Sequence, residues 1–158
     1  MQPANYKIWQ GKPLLRQKKK RMELRMTEAL TQEDILTWAR TVWGESRGES
    51  PQGQLAVAFV PYNRAQISGQ SVATECRKSY QFSCWNARDP NRAYMLRLDA
   101  NDLHAFLALI DQVLAGVEDP SQGATFYHVR GISPAWTYGQ MPCARIGNHI
   151  FYRGITPY

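Results

Sequence analysis

The sequence predicts an α+β fold, mainly α, with a minor β element and long loops bordering a cleft. Two patterns and one count predict it. Apolar side chains recur at helical spacing behind recognisable caps in residues 32–46, 51–60 and 100–115. Residues 119–158 read instead as loops and short extended pieces rich in aromatics. The chain has 158 residues, 44% hydrophobic and 11% aromatic, which suits one compact domain and excludes wholesale disorder. A domain of that size buries roughly 68–70% of its unfolded surface, so it needs neither metal nor disulfide to fold.

The first helix is expected over about residues 32–46. Thr31 is its N-cap, with Asp34 as the acidic partner of a capping box. Ile35, Leu36, Trp38, Ala39, Val42 and Trp43 follow at helical spacing, and Gly48 is a plausible stop. Ser50-Pro51 opens a second helix, with Ser as cap and Pro at the first helical position. Its body, Leu55 to Val60, is apolar on every face, as in a core helix. Pro61 predicts a kink or an early end before Asn63-Arg64, because it lacks a donor and crowds the preceding turn. Residues 65–98 read as irregular. Asp99 then caps a third helix, with Asp102 as its partner. That helix has an apolar stripe of Leu103, Phe106, Leu107, Ile110, Val113 and Leu114, and it ends at Gly116.

Charge divides the chain near residue 30. Net charge is +6, and residues 1–30 carry all of it through Lys7, Lys12, Arg16, Lys18, Lys19, Lys20, Arg21 and Arg25 against Glu23 and Glu28. The reading is a basic N-terminal arm, 1–30, ahead of a neutral domain, 31–158. Such an arm suits an anionic partner (nucleic acid, a membrane surface or a cell-envelope polymer), or is a solvated tail. Met22 and Met26 are alternative natural starts. The Lys18–Arg21 cluster runs into Met22-Glu23-Leu24-Arg25, too polar for the core of a secretory signal, and no apolar run matches a membrane-spanning helix. Cys76 and Cys84 close a short loop and either bridge or stay reduced, leaving Cys143 odd. His128 and His149 are scattered relative to Glu45 and Glu49, without ligand spacing, so no metal or other cofactor is expected. They read as core or cleft-wall histidines, and His104 as solvent-facing.

The sharpest chemistry lies in Trp43-Gly44-Glu45-Ser46-Arg47-Gly48-Glu49. Glu45 ends an apolar helix. Apolar surroundings and the negative end of the helix dipole both disfavour its ionised form, which is what a general acid needs. The competing reading pairs Glu45 with Arg47 or Arg64 on the surface. Gly48 breaks the register between Glu45 and Glu49. Glu49 is therefore read as structural, near the start of the second helix.

This segment, with Gly53 to Ala58, Asn63-Arg64, Gln81-Phe82-Ser83-Cys84-Trp85, Gly123 to His128, Pro134-Ala135-Trp136 and Ile146 to Tyr152, closely resembles the SleB-like cell-wall hydrolases, the spore-cortex-lytic enzymes. The resemblance spans roughly residues 31–153; Pro61 departs from it, where an aliphatic residue is expected. It implies a lysozyme-like domain that cuts peptidoglycan as a lytic transglycosylase. It puts the catalytic glutamate at Glu45. It implies that Gln81, Phe82 and Ser83 lie on the opposite lip of the cleft and Tyr127 on its floor; Ser46, His128 and Trp136 complete the candidate substrate contacts, with Glu49 and Arg64 as structural support. Tyr80, Trp85 and Tyr138 are further aromatics that either stack on sugars or serve as core and rim.

Bottom-up chemistry agrees with one essential carboxyl. Hydrolysis calls for a second carboxylate ~5–5.5 Å away (retaining) or ~6.5–9.5 Å away (inverting). Transglycosylation does not, since a substrate hydroxyl is the nucleophile. Asp89 and Glu75 lie in the irregular region without a companion signal. Hydrolytic muramidase action and a non-catalytic peptidoglycan-binding module are the alternatives. The site of action implied is the bacterial cell wall, with phage delivery, holin-released or virion-borne, as the favoured route and other non-classical export or assembly into a spore coat as the alternatives.

Overall fold

The structure, a computed structural model, describes residues 16–17, 20–21 and 30–156. By internal contacts the chain divides into two units, Met1–Leu30 and Thr31–Tyr158. Of the basic arm, Lys7, Lys12, Lys18, Lys19 and Arg25, with Glu23, Glu28, Met22 and Met26, lie outside the described residues; Arg16, Lys20 and Arg21 are exposed. The elements below belong to the second unit.

Helix α1 spans Gln32–Ser46. Its capping box forms as expected: Thr31 Oγ1 accepts from the Asp34 N–H at 3.1 Å, and Asp34 Oδ2 accepts from the Thr31 N–H at 3.0 Å. Trp38 and Val42 are buried, and the Trp38 indole N–H donates to Ala58 O at 3.0 Å, tying α1 to the next helix. Gly48 is not a left-handed stop; right-handed Arg47 caps α1.

Helix α2 spans Pro51–Ser68, with Ser50 Oγ accepting from the Gly53 N–H at 3.2 Å and Gly69 closing it at φ 71°. The early end expected at Pro61 does not occur. A proline inside a helix costs ~3 kcal/mol or more. Here Val57, Phe59, Val60, Pro61 and Ala65 are all buried. Each large apolar side chain buried returns about 1.5–3 kcal/mol, which outweighs one missing donor.

The stretch 65–98, expected to be irregular, holds more structure than its sequence pattern suggests. It completes α2 and then forms α3 (Val72–Arg77), a 3₁₀ turn (Ser83–Trp85) and α4 (Arg92–Met95). Ser71 caps α3 through the Thr74 N–H at 3.0 Å. Helix α5, His104–Leu114, begins later than expected. Asp99 and Asp102 do bond reciprocally, each at 3.0 Å, but around a turn that precedes the α-helix. Leu103, Ile110 and Val113 are buried as the stripe predicts, and Gly116 lies beyond the end at φ 78°.

Strands β1 (Phe126–Val129), β2 (Ala144–Ile146) and β3 (His149–Tyr152) make one antiparallel sheet in the order β1-β3-β2. Tyr127 pairs with Phe151 and Val129 with His149, so these share a face; Phe126, His128 and Tyr152 share the other. The Phe151 face packs on a core of Ala56, Val57, Val60, Phe82, Cys84, Met95 and Ala124. This architecture matches the expected mainly α class with a minor β element. Cys76, Cys84 and Cys143 are free thiols, and burial pushes Cys76 up to about 12.

Candidate active site

Glu45 lies in the last turn of α1, where Gly44 allows a close approach. A Cβ at Gly44 would stand 2.5 Å from Cys84 Cβ and 2.9 Å from its sulfur. Because Gly44 carries none, the 3₁₀ turn lies against the helix end and aims two donors at one oxygen. The Cys84 N–H donates to Glu45 Oε1 at 2.8 Å and the Ser83 hydroxyl at 3.2 Å. From the opposite side the Tyr127 hydroxyl donates to Oε2 at 2.8 Å. Glu45 is half-buried, and its carboxyl thus bridges the turn and β1.

The alternative of an arginine partner for Glu45 does not hold. Arg47 donates to Gly44 O at 3.1 Å and lies 4.4 Å over the Trp43 ring. Arg64 is buried, donating to Thr125 O at 2.6 Å and to Gln81 Oε1, and stacked 4.5 Å over Phe126. It joins α2 to the loop before the turn and to the start of the sheet.

Tyr127 is wedged among aromatics. Its ring is 4.9 Å from His149, edge-on, 5.6 Å from Phe151 and 6.4 Å from Phe82. Burial, then the charge of Glu45, hold its phenol well above the usual range, so it remains a donor. His149 is buried, with Nδ1 lacking a hydrogen-bond partner. Burial pulls its pKa below the ordinary value, against Glu49 and Glu45, which act upward. Burial also pushes the Cys84 thiol up, reinforced by Glu45.

Glu49, expected near the start of the second helix, has its hydrogen bonds on the β2–β3 turn. Both its oxygens accept from Asn148, from the backbone N–H and from the side-chain amide, each at 3.1 Å. Gly147, at φ 55°, makes room: a Cβ there would overlap Glu49 Oε2.

Not all the expected contact residues converge. Ser83 and Tyr127 bond Glu45, and Gln81 is half-buried with its amide oxygen taken by Arg64. Ser46, by contrast, is buried and its hydroxyl bonds back to Val42 O at 2.6 Å, so it does not face a ligand. Phe82 is buried, with its ring 6.4 Å from that of Tyr127. His128 and Trp136 lie across the sheet from Tyr127. His128 meets the Tyr152 hydroxyl at 3.0 Å, and Trp136 packs 5.2 Å from both Phe126 and Tyr152. The sequence reading missed the Cys84 N–H, a backbone donor without side-chain signature, and the contact of His149 with Tyr127.

Other acidic groups are engaged elsewhere. Asp89 accepts from the Asn91 N–H at 2.8 Å; Glu75 is fully buried and accepts from Ser68 at 2.6 Å and Lys78 at 2.9 Å. A depression of about 450 Å³ beside the start of α2, lined by Pro51, Gln52, Leu55, Leu109, Gln112, Glu118 and Pro120, contains none of the residues around Glu45. Among the described residues no group of three or more His, Cys, Asp or Glu is placed to hold a metal ion, and no helix is long and apolar enough to cross a membrane.

Residues 48–152 match the family model described as Cell Wall Hydrolase, a match that begins just after Glu45. The chain is 34% identical over 119 residues to the spore cortex-lytic enzyme of Halalkalibacterium halodurans, covering 75% of this chain and 34% of that protein. It is 32% identical over 129 residues to the spore cortex-lytic enzyme of Bacillus subtilis, covering 80% and 39%. The aligned region is thus less than two-fifths of each of these relatives. Among solved structures, the catalytic domain of the Bacillus cereus SleB protein superposes with a TM-score of 0.66 at 26% identity, covering 79% of this chain and 93% of that one. The catalytic domain of a germination-specific lytic transglycosylase, SleB from Bacillus anthracis, gives 0.61 at 27%, covering 79% and 98%.

Proposed function

The chain belongs to the cell wall hydrolase family, and from that premise we propose that it degrades peptidoglycan, cleaving the MurNAc–GlcNAc β-1,4 bond as a lytic transglycosylase. Its mainly helical body, with the small sheet, is the lysozyme-like fold it shares with the SleB catalytic domains. The observation that carries the proposal is one carboxyl, Glu45, gripped by donors from two other segments while Glu49 beside it has both oxygens on Asn148.

The steps follow from that grip. Oε1 already accepts two donors, so the transferable proton belongs on Oε2, beside a Tyr127 hydroxyl that can rotate. Glu45 gives this proton to the glycosidic oxygen as the C1–O bond breaks. The muramic acid 6-hydroxyl attacks C1 and its proton passes to the Glu45 carboxylate. The product carries a 1,6-anhydro end, no water is consumed, and the acid is restored. General acid–base catalysis of this kind contributes about 10²–10⁴-fold.

Glu45→Gln tests the assignment. Lysis of purified sacculi should fall about 10²–10⁴-fold while sedimentation with sacculi persists. Undiminished lysis overturns the role of Glu45. Mass spectrometry of the muropeptides released by the unaltered chain reads the reaction type: anhydro ends support transglycosylation, and reducing ends alone assign hydrolysis. Action at the bacterial cell wall follows from the same reading. Delivery by a phage is proposed from the basic residues 1–30 and is tested by detecting the chain in purified particles or in phage lysates.

A further inference from the structure

Tyr80 combines two properties that an ordinary surface residue does not. Its backbone is left-handed, at φ 64°, and the residue is 92% exposed. A left-handed φ is disfavoured for any residue with a Cβ and is a true outlier for a bulky one. The turn is closed by the Gln81 N–H donating to Lys78 O at 3.2 Å, which puts Tyr80 third, where tight turns with a positive φ favour Gly or Asn. Exposure means the ring gains almost nothing from burial on folding. Backbone and side chain therefore both argue against tyrosine for stability alone. Strain kept in this way is a pointer to function.

Its place in the chain says which function. Gln81 is tied to Arg64, Phe82 is anchored in the core, and Ser83 and Cys84 are donors to Glu45. Tyr80 thus tops a rigid loop, no more than about 10 Å of chain from Ser83. A glycan strand crossing Glu45 continues past the scissile bond over the flanking surface. A tyrosine ring offers a broad apolar face and a polar tip at low conformational cost.

We propose that Tyr80 is a saccharide-binding residue, its ring a stacking platform for the apolar face of a pyranose on the strand that Glu45 cleaves. This rests on the glycan-cleaving function proposed above. The test uses the full chain. In a Glu45→Gln background, Tyr80→Ala and Tyr80→Gly should weaken sedimentation with sacculi about tenfold, and Tyr80→Trp should preserve it. With Glu45 intact, Tyr80→Ala and Tyr80→Gly should raise the half-saturating sacculus concentration with little change in maximal rate. Tyr80→Gly should also raise Tm by relieving the left-handed backbone, separating a binding defect from damage to the fold. Tyr80→Gly with unchanged binding and half-saturation overturns the proposal while leaving glycan cleavage intact. A Glu45→Gln chain that fails to bind sacculi, together with an unaltered chain that fails to cleave them, overturns both.

Discussion

The hydroxyl of Tyr127 meets Oε2 of Glu45 at 2.8 Å across 82 residues of chain. The contact can be removed cleanly, because the ring is held independently by Phe82, His149 and Phe151. A hydrogen bond to a charged group is worth about 1.5–3 kcal/mol, or about 10–100-fold in rate. Tyr127→Phe should therefore slow lysis of sacculi about 10–100-fold and leave Tm within a few degrees. Unchanged lysis would show that Tyr127 does not serve the reaction.

The two glycines flanking Glu45 should respond oppositely to alanine. At Gly44 the new Cβ meets Cys84 at 2.5 Å, and the 3₁₀ turn must retreat. Overpacking of this kind costs about 1–3 kcal/mol, and here it also withdraws the Cys84 N–H from Glu45, so Tm and activity fall together. At Gly48 nothing lies within 4 Å and φ is not left-handed. Gly48→Ala should be neutral or gain up to about 1 kcal/mol by restricting the unfolded chain. Thermal melts with parallel lysis assays check both.

Glu49→Ala should loosen the β2–β3 turn rather than disable chemistry directly. Losing both bonds to Asn148 should cost about 1–2 kcal/mol, seen as a Tm lower by several degrees. Hydrogen exchange should rise at residues 146–149. Wild-type exchange there would show that the clamp is dispensable.

Acid should destabilise the domain partly through His149. Its folded pKa is depressed by burial, whereas in the unfolded chain it is about 6.5. Above about pH 6.5 both states are neutral there and the contribution is fully present. Below it the unfolded chain takes up a proton first, so stability drops as pH falls towards the folded value. His149→Phe keeps a ring beside Tyr127 and should flatten the Tm-versus-pH curve between about pH 7 and about pH 5. An equally steep curve in the variant would assign the acid sensitivity to other groups.

The features legible in the sequence are those written locally. The Thr31–Asp34 box, the Ser50-Pro51 start and the Gly116 end depend on neighbours a few residues apart, and each forms. Pro61 misleads because its local penalty is outweighed by packing of α2 on α1, α3 and α5 that no nearby residue announces. Helix α3, only six residues long, is too short for periodicity to show, although Ser71 marks its start. At the site, the sequence points to Glu45 but not to how strand alternation sorts the aromatics. Tyr127 and His128 are adjacent, so they project to opposite faces, and only Tyr127 reaches Glu45. Ser46 is likewise next to Glu45, yet one helical step turns it inward to Val42 O.

Glu45 receives its donors from a turn 38 residues downstream and from a strand 82 residues downstream. Assembly of this cluster is therefore a late event in the life of the chain. A nascent polypeptide still missing β1, or one nicked and separated between α5 and the sheet, carries the glutamate without the groups that hold it. Contacts so distant in sequence are also slow to close, which places the meeting of these three segments near the end of folding.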